Sequence, residues 1–150
     1  MKRPGYASLR KGRCSLNHQV YHLTAATLRR TPFFDDLYLS RRLILAFYEV
    51  SAEAETLAYV VMPDHFHWLI KLRHERADIS RLVKGVKAKT TYYYRSRSGQ
   101  KTIWQRGFYD QALRCEDQIV DVARYIVANP LRAGIVTRLQ EYPHWDAIWV

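Results

Sequence analysis

The chain has 150 residues, of which 48% are hydrophobic and 25% charged, which predicts one folded domain and excludes both a disordered chain and two domains. Its 24 Lys and Arg against 14 Asp and Glu give a net charge of +10, so a polyanion such as nucleic acid is the expected partner. No apolar run approaches the roughly 20 residues that span a bilayer, and no apolar segment of a signal peptide follows the basic start, so we expect a cytoplasmic protein without a membrane partner.

Hydrophobic periodicity then divides the chain into elements. Residues 1–16 are basic and polar and are expected to form an arm ahead of a single domain over residues 17–150. The β-α-β-β-α-β order in that domain predicts an α+β fold, namely a ferredoxin-like split β-α-β antiparallel sheet with helices on one face, followed by a C-terminal helix, the candidate catalytic helix considered below, and short helices. The predicted elements are strands over 17–27, 56–62, 65–73 and 107–114, and helices over 35–53, 78–95, 116–128 and 130–139.

Two histidines lie on the second strand of the central hairpin. Side chains alternate between faces along a strand, so Phe66 and Trp68 point to the core and His65 and His67 point to the other face. Two imidazoles on one face can supply two nitrogen ligands to a divalent metal. The alternative is a pair of exposed histidines without a ligand, and Asp64, which opens the strand, is expected to point elsewhere.

The helix that precedes Pro130 carries a tyrosine on its polar face. On a helical wheel, Tyr125 and Asn129 lie together, nearly opposite the apolar stripe that contains Ile126. A tyrosine without a packing role is a candidate nucleophile, and the amide oxygen of Asn129 is a candidate third metal ligand. Alternatively, Tyr125 is an ordinary surface ring, and Asn129 is the N-cap of a helix with Pro130 at its first position.

The helix over 78–95 has a row of cations on the face opposite its apolar residues. Such a row can bind DNA phosphates, or it can be a solvated helix face, and the sequence leaves both interpretations open. The 11 Tyr, 4 Trp and 5 Phe supply rings on which unpaired bases can stack, although many of them are expected in the core. The cations of the row are Arg81, Lys84, Lys87 and Lys89.

Three segments, 61–70 (VMPDHFHWLI), 104–110 (WQRGFYD) and 125–136 (YIVANPLRAGIV), together resemble the REP-associated tyrosine transposases, relatives of the single-tyrosine HUH insertion-sequence transposases. The resemblance implies a Mg²⁺ or Mn²⁺ ion held by His65, His67 and Asn129. It also implies that Tyr125 attacks a phosphodiester of single-stranded DNA near a REP-like hairpin, leaving a 5′-phosphotyrosine link and a free 3′-OH. The insertion-sequence relatives more often have Gln where this chain has Asn129.

The same resemblance implies DNA contacts by residues other than the metal ligands and the tyrosine. Arg3 is similar to part of the basic arm with which these proteins contact hairpin DNA, and Arg106 and Arg132 are expected DNA-binding residues. A bacterial, nucleoid-associated monomer is favoured over a dimer, and the sequence identifies no general base for Tyr125. Two other functions are open: a transposase-derived protein that binds hairpins without cutting them, and a metal-dependent phosphoesterase that uses water as its nucleophile.

Overall fold

A computed structural model of the chain describes residues 19–99 and 102–149, so the predicted arm, with Arg3, lies outside the described residues. One antiparallel sheet has the strand order β4-β1-β3-β2-β5, and its first four strands have the order expected of the split β-α-β arrangement, which confirms the α+β fold. The elements are β1 (Val20–Ala26), α1 (Leu37–Glu49), β2 (Ala54–Met62), β3 (His65–Leu72), α2 (Ile79–Ser98), β4 (Tyr109–Leu113), α3 (Glu116–Val127), α4 (Asn129–Arg132) and β5 (Trp145–Ala147).

Local hydrogen bonds explain where the two long helices begin and end. The carboxylate of Asp36 accepts bonds from the first turn of α1, at 2.9 Å from the Tyr38 nitrogen, so the helix starts after this cap and not at residue 35. Asp78 caps α2 in the same way. Gly99 has φ of 79°, and its N–H bonds to the carbonyl of Arg95, so α2 continues past its predicted end until a residue adopts the left-handed conformation.

The sheet is covered by helices on both faces. Helices α1 and α2 share one face, where Phe47 stacks on the fully buried Trp68 with ring centroids 4.6 Å apart. Helix α3 covers the other face, where Ile126 packs in one cluster with Leu69. The face of β3 that carries His65 and His67 was expected to lie away from the core, but Leu69 on that face is fully buried. The histidines therefore border a second, smaller core.

The C-terminal part differs from the prediction. The helix predicted over 130–139 ends at Arg132, because Gly134 adopts φ of 72° and the chain then runs on to a 3-10 turn at Leu139–Glu141. The tail adds the unpredicted strand β5 to the edge of β2, and the buried hydroxyl of Tyr142 donates a hydrogen bond to the carbonyl of Val61. No helix in the described ranges is long and apolar enough to cross a membrane.

Candidate active site

The side chains of His65 and His67 lie side by side on one face of β3, as predicted. Their ring centroids are 5.1 Å apart, and the ring planes are nearly perpendicular, at 88°. In register, His65 lies between Ala26 of β1 and Met62 of β2, so neighbouring strands flank the pair on both sides. Both rings are partly buried, which fixes their positions more firmly than a freely exposed pair would allow.

The Nδ1 atom of His65 is bonded to the residue before it. Asp64 Oδ1 lies 2.7 Å from this nitrogen, and Asp64 Oδ2 accepts a bond of 2.9 Å from the Nε of Arg30. The expectation that Asp64 points elsewhere is therefore wrong, because the turn before β3 brings its carboxylate back to the ring. A carboxylate that accepts a hydrogen bond from Nδ1–H leaves the Nε2 lone pair available, which is the usual arrangement behind a metal-ligating histidine.

The Nδ1 atom of His67 is bonded to strand β1. It lies 2.9 Å from the Nε2 of His22 and 3.1 Å from the hydroxyl oxygen of Thr24. We did not predict either partner, although the sequence holds a signal: His22 and Thr24 alternate with the apolar Tyr21, Leu23 and Ala25 on β1 and so share the histidine face. Within the described residues, no hydrogen bond engages the Nε2 of His65 or His67.

Burial keeps these imidazoles neutral. It lowers the pKa of His67 to about 3, and the charges of His22, His65 and Arg132 act in the same direction. It also lowers the pKa of His22 to about 4, against a smaller raising effect of a hydrogen bond with Gln111. Burial lowers the pKa of His65 too, and its contact with Asp64 offsets part of that effect. Neutral imidazoles have the lone pair that a metal ligand needs.

Helix α3 brings Tyr125 to the histidine pair. The Tyr125 ring is 53% exposed, and its centroid lies 6.2 Å from that of His67, with the planes at 84°. Ile119, Ala123 and Ile126 on the opposite side of α3 are buried, so the packing of the helix decides where the tyrosine points. The guanidinium carbon of Arg132 lies 3.8 Å from the centroid of the Tyr125 ring, close enough for a cation–π interaction.

Asn129 lies one helical turn beyond Tyr125. The alternative that it is the N-cap of α4 is wrong, because Ala128 occupies that position and Asn129 is the first residue of the helix. Its backbone carbonyl instead accepts a bond of 2.9 Å from the nitrogen of Ala133. No hydrogen bond within the described residues engages the partly buried Asn129 amide. The Asn129 side chain therefore does not cap α4, and its amide oxygen is available to a ligand.

The described residues contain no group of three His, Cys, Asp or Glu side chains arranged around a metal position. What the site does contain is two imidazoles whose Nδ1 atoms are bonded behind them. A closed structural zinc site needs four protein ligands, whereas a divalent ion with open positions takes the rest of its ligands from water or phosphate. The donor atoms present fit the second kind of ion.

The predicted DNA-binding cations do not form one group. Of those that the structure describes, Arg132 lies at the site, whereas α2 packs on the opposite sheet face, so its cations are remote from His65 and His67. Lys87 is engaged by loop carbonyls, and Lys89 pairs with Glu49 at 3.1 Å. The predicted DNA-binding residues left exposed on the α2 side are Arg81 and Lys84 on the helix and Arg106 in the loop before β4.

Comparison with known proteins links this geometry to one family. Residues 15–129 match the model of the transposase family described as IS200-like. A REP-associated tyrosine transposase of Escherichia coli K12 is 30% identical over 89 residues, which make up 59% of this chain and 52% of that protein. A relative from Haemophilus influenzae is 25% identical over 100 residues, 60% of this chain and 57% of that protein. The chain thus spans little more than half the length of these curated relatives.

Solved structures share the fold. A REP-associated tyrosine transposase bound to a REP hairpin superposes with a TM-score of 0.74 at 26% identity, and the match covers 89% of this chain and 79% of that chain. A crystal structure from Deinococcus radiodurans matches with a TM-score of 0.55 at 23% identity over 77% of this chain and 94% of that chain. The second likeness concerns the fold alone.

Proposed function

Because this chain belongs to the IS200-like transposase family, we propose that it cleaves and rejoins single-stranded DNA through Tyr125. The observation that carries the proposal is the approach of an exposed tyrosine to a pair of neutral imidazoles, with Tyr125 and His67 ring centroids 6.2 Å apart. The superposable relative is bound to a REP hairpin, which supports hairpin-bearing DNA as the substrate class.

A phosphodiester resists attack by an anion because it is itself negatively charged. A Mg²⁺ or Mn²⁺ ion, held by the Nε2 atoms of His65 and His67 and by the amide oxygen of Asn129, would neutralise phosphate charge at this site. The ligating tautomer of each ring has a partner for its Nδ1–H: Asp64 can accept this hydrogen bond from His65, and the Nε2 of His22 or the hydroxyl oxygen of Thr24 can accept it from His67. Strand register therefore holds the ligand pair in place before DNA arrives.

The bond changes follow from the nucleophile. The hydroxyl oxygen of Tyr125 forms a bond to phosphorus, the bond between phosphorus and the 3′ oxygen breaks, and the phenol proton passes in net to that departing oxygen. The products are a 5′-phosphotyrosine link and a free 3′-OH. Attack by a 3′-OH on the phosphotyrosine reverses the step and joins strands without ATP, because the energy of the phosphodiester is conserved in the covalent link.

Arg132 is suited to assist this step. Its guanidinium carbon lies 3.8 Å from the Tyr125 centroid, and its charge also lowers the pKa of His67, so it lies close to both the proposed nucleophile and the histidine pair. A cation over the ring restricts the ring's orientation, and it adds positive charge where an incoming phosphate has to lie. We infer that Arg132 binds the scissile phosphate while it orients the tyrosine.

The test is a covalent adduct. The full chain is incubated with Mg²⁺ or Mn²⁺ and an end-labelled REP-type hairpin with single-stranded flanks, and denaturing electrophoresis separates labelled protein from free DNA. We expect an adduct that Tyr125→Phe abolishes and that Tyr109→Phe, the matched change at another exposed tyrosine (70% exposed), retains.

The same experiment separates the alternatives. An adduct that persists in Tyr125→Phe would contradict the proposed nucleophile. DNA cleavage without any adduct, at an unchanged rate in Tyr125→Phe, would indicate a phosphoesterase that uses water. Tight hairpin binding without cleavage, unaffected by His65→Ala together with His67→Ala, would indicate a non-cleaving hairpin-binding protein.

A further inference from the structure

A cleft of about 950 Å³ opens between α2 and the segment over residues 102–108. Val83 and Trp104 line its inner surface, and both belong to the core on the α1 and α2 face of the sheet. His65, His67 and Tyr125 do not line it, and Tyr125 lies on α3 at the other face. This α2 cleft is therefore separate from the candidate active site.

The charge of the α2 cleft has one sign. Among the described residues that line it, none is Asp or Glu, whereas six are cations. Walls whose charged residues are all positive attract an anionic ligand. A ligand that contacts several of these cations at once must carry several negative charges, as a polyanion does. The six cations are Arg42, Lys84, Lys87, Lys89, Arg95 and Arg106.

Lys87 connects the two walls of the cleft. The ammonium group of Lys87 donates to the carbonyl of Gln105 at 3.1 Å and to the carbonyl of Gly107. Burial lowers the pKa of Lys87, in keeping with a group partly withdrawn from water. These two bonds fasten the loop to α2 and hold Arg106, between the two acceptor residues, at the cleft.

Other cations remain available for a ligand. Arg42 and Lys89 both pair with Glu49, each at 3.1 Å, so their charge is partly neutralised. Lys84, Arg95 and Arg106 have no ion-pair partner in the part of the chain that the structure describes. Lys84 and Arg95 are three helical turns apart, about 16 Å along the helix axis, which matches the rise of about five stacked nucleotides.

Two aromatic rings lie between these charges. Tyr92 is 71% exposed on α2, between Lys84 and Arg95, and Phe108, which is partly buried against the core, lines the opposite wall. An exposed ring such as Tyr92 inside a cationic groove is typical of surfaces that stack unpaired bases, because each base has a flat face whatever its sequence. Paired bases keep their faces inside the duplex, so the rings favour single strands.

We propose that the α2 cleft is a second nucleic-acid site, which binds a single-stranded DNA segment on the sheet face opposite Tyr125. This second site rests on the proposed function only because DNA is taken as the polyanion, and binding there does not require DNA cleavage. A DNA molecule held in both places would pass around the edge of the sheet at β4, the strand that connects the cleft loop to α3.

The test measures binding of fluorescein-labelled oligo-dT to the full chain by anisotropy, in EDTA and at several KCl concentrations. The variant Lys84→Gln with Arg95→Gln should weaken binding and reduce the slope of log K against log salt by about 1.4, at about 0.7 per phosphate contact on single strands. The matched control, Arg41→Gln with Arg76→Gln, removes two exposed cations that do not line the cleft and should keep the slope.

The ring is tested separately. Tyr92→Ala should weaken binding by about fivefold or more, the loss expected for one base–aromatic stack, and Tyr92→Phe should retain it. An oligonucleotide with 5-iododeoxyuridine should photocrosslink to the peptide that contains Tyr92. Because EDTA excludes metal-dependent cleavage, these readouts do not depend on Tyr125 chemistry, and failure of the adduct assay would leave them intact.

Three results would overturn the proposal. The first is an equal loss of affinity in the cleft variant and in its charge-matched control, since binding would then follow net charge alone. The second is a crosslink only to peptides of α3. The third is binding in the cleft of blunt duplex but not of oligo-dT, because the rings would then have no unpaired base to stack on.

Discussion

The hydrogen bond behind His67 can be removed without changing any candidate ligand. In the folded chain, the Nδ1 of His67 lies 2.9 Å from His22 Nε2 and 3.1 Å from the hydroxyl of Thr24. The variant His22→Leu removes the shorter contact and leaves the second one in place. We expect the His67 ring to lose part of its preference for the tautomer and orientation that leave Nε2 free.

The size of the effect follows from the two contacts. Loss of a partner behind a metal-ligating histidine typically lowers metal affinity about 10- to 100-fold, which corresponds to about 1.4 to 2.7 kcal/mol. Because the Thr24 hydroxyl remains as a partner at 3.1 Å, His22→Leu should lie near the tenfold end. The double variant with Thr24→Val, which leaves Nδ1 without either partner, should lie nearer the upper end.

Two measurements check this expectation. Mn²⁺ titration followed by electron paramagnetic resonance gives the affinity directly, and nitrogen-correlated NMR of the imidazoles in metal-free protein reports the His67 tautomer. The control is His144→Leu, because His144 is also partly buried with a pKa lowered by burial, yet its ring contacts Tyr142 and not His67. Unchanged Mn²⁺ affinity and an unchanged His67 tautomer in the double variant would refute the reasoning.

Three further outcomes are expected. The pKa values of His22 and His67 are lowered to about 4 and about 3 in the folded chain, whereas a histidine of the unfolded chain has a pKa of 6.5. The unfolded chain therefore binds more protons below pH 6.5, so the free energy of unfolding should be highest above pH 6.5 and should fall as the pH drops toward 4. Urea midpoints across this range should show a smaller fall in His22→Leu. Arg132→Gln should slow adduct formation by about threefold or more while Arg132→Lys loses less, measured as single-turnover rates, because about 0.5–1 kcal/mol of cation–π interaction is lost with the charge. Ile126→Ala, a fully buried position of α3, should lower the free energy of unfolding by about 2–5 kcal/mol in urea titrations, and an unchanged midpoint would contradict the packing described for the second core.

The parts of the site that could be predicted are those set by local periodicity. Alternation along β3 places His65 and His67 on one face whatever the neighbouring strands do, and the helical wheel separates Tyr125 from the buried stripe of α3. The contact of His22 with His67 could not be placed in this way, because it depends on the register between strands whose residues are 45 positions apart. The alternating polar positions of β1 were a usable signal, but only once β1 was known to pair with β3.

The missed features have different physical causes. The sequence predicts too long a helix after Pro130 because apolar residues continue to Leu139, whereas Gly134, a common helix-ending residue, adopts the left-handed φ of 72° just after the basic last turn. Strand β5 has three residues, too few for a periodic pattern, and it exists because the edge of β2 offers free hydrogen-bonding groups. Lys84 and Lys87 belong to one cationic row in the sequence, yet tertiary contacts leave the first exposed and bind the second to loop carbonyls.

The proposed ligand pair and the proposed nucleophile are held by different elements, and this separation has a mechanical consequence. Strand register and the bonds of Asp64 and His22 fix the two imidazoles to the sheet. Tyr125 depends instead on the packing of α3, whose buried residues are confined to one stripe and whose outer face is exposed. A small rotation of α3 would change the 6.2 Å approach of Tyr125 to His67 and leave the pair of imidazoles as it is. Variants in the buried stripe of α3 should therefore lower the adduct rate more than they lower Mn²⁺ affinity, which they reach only through Asn129, whereas variants behind His67 should lower Mn²⁺ affinity first.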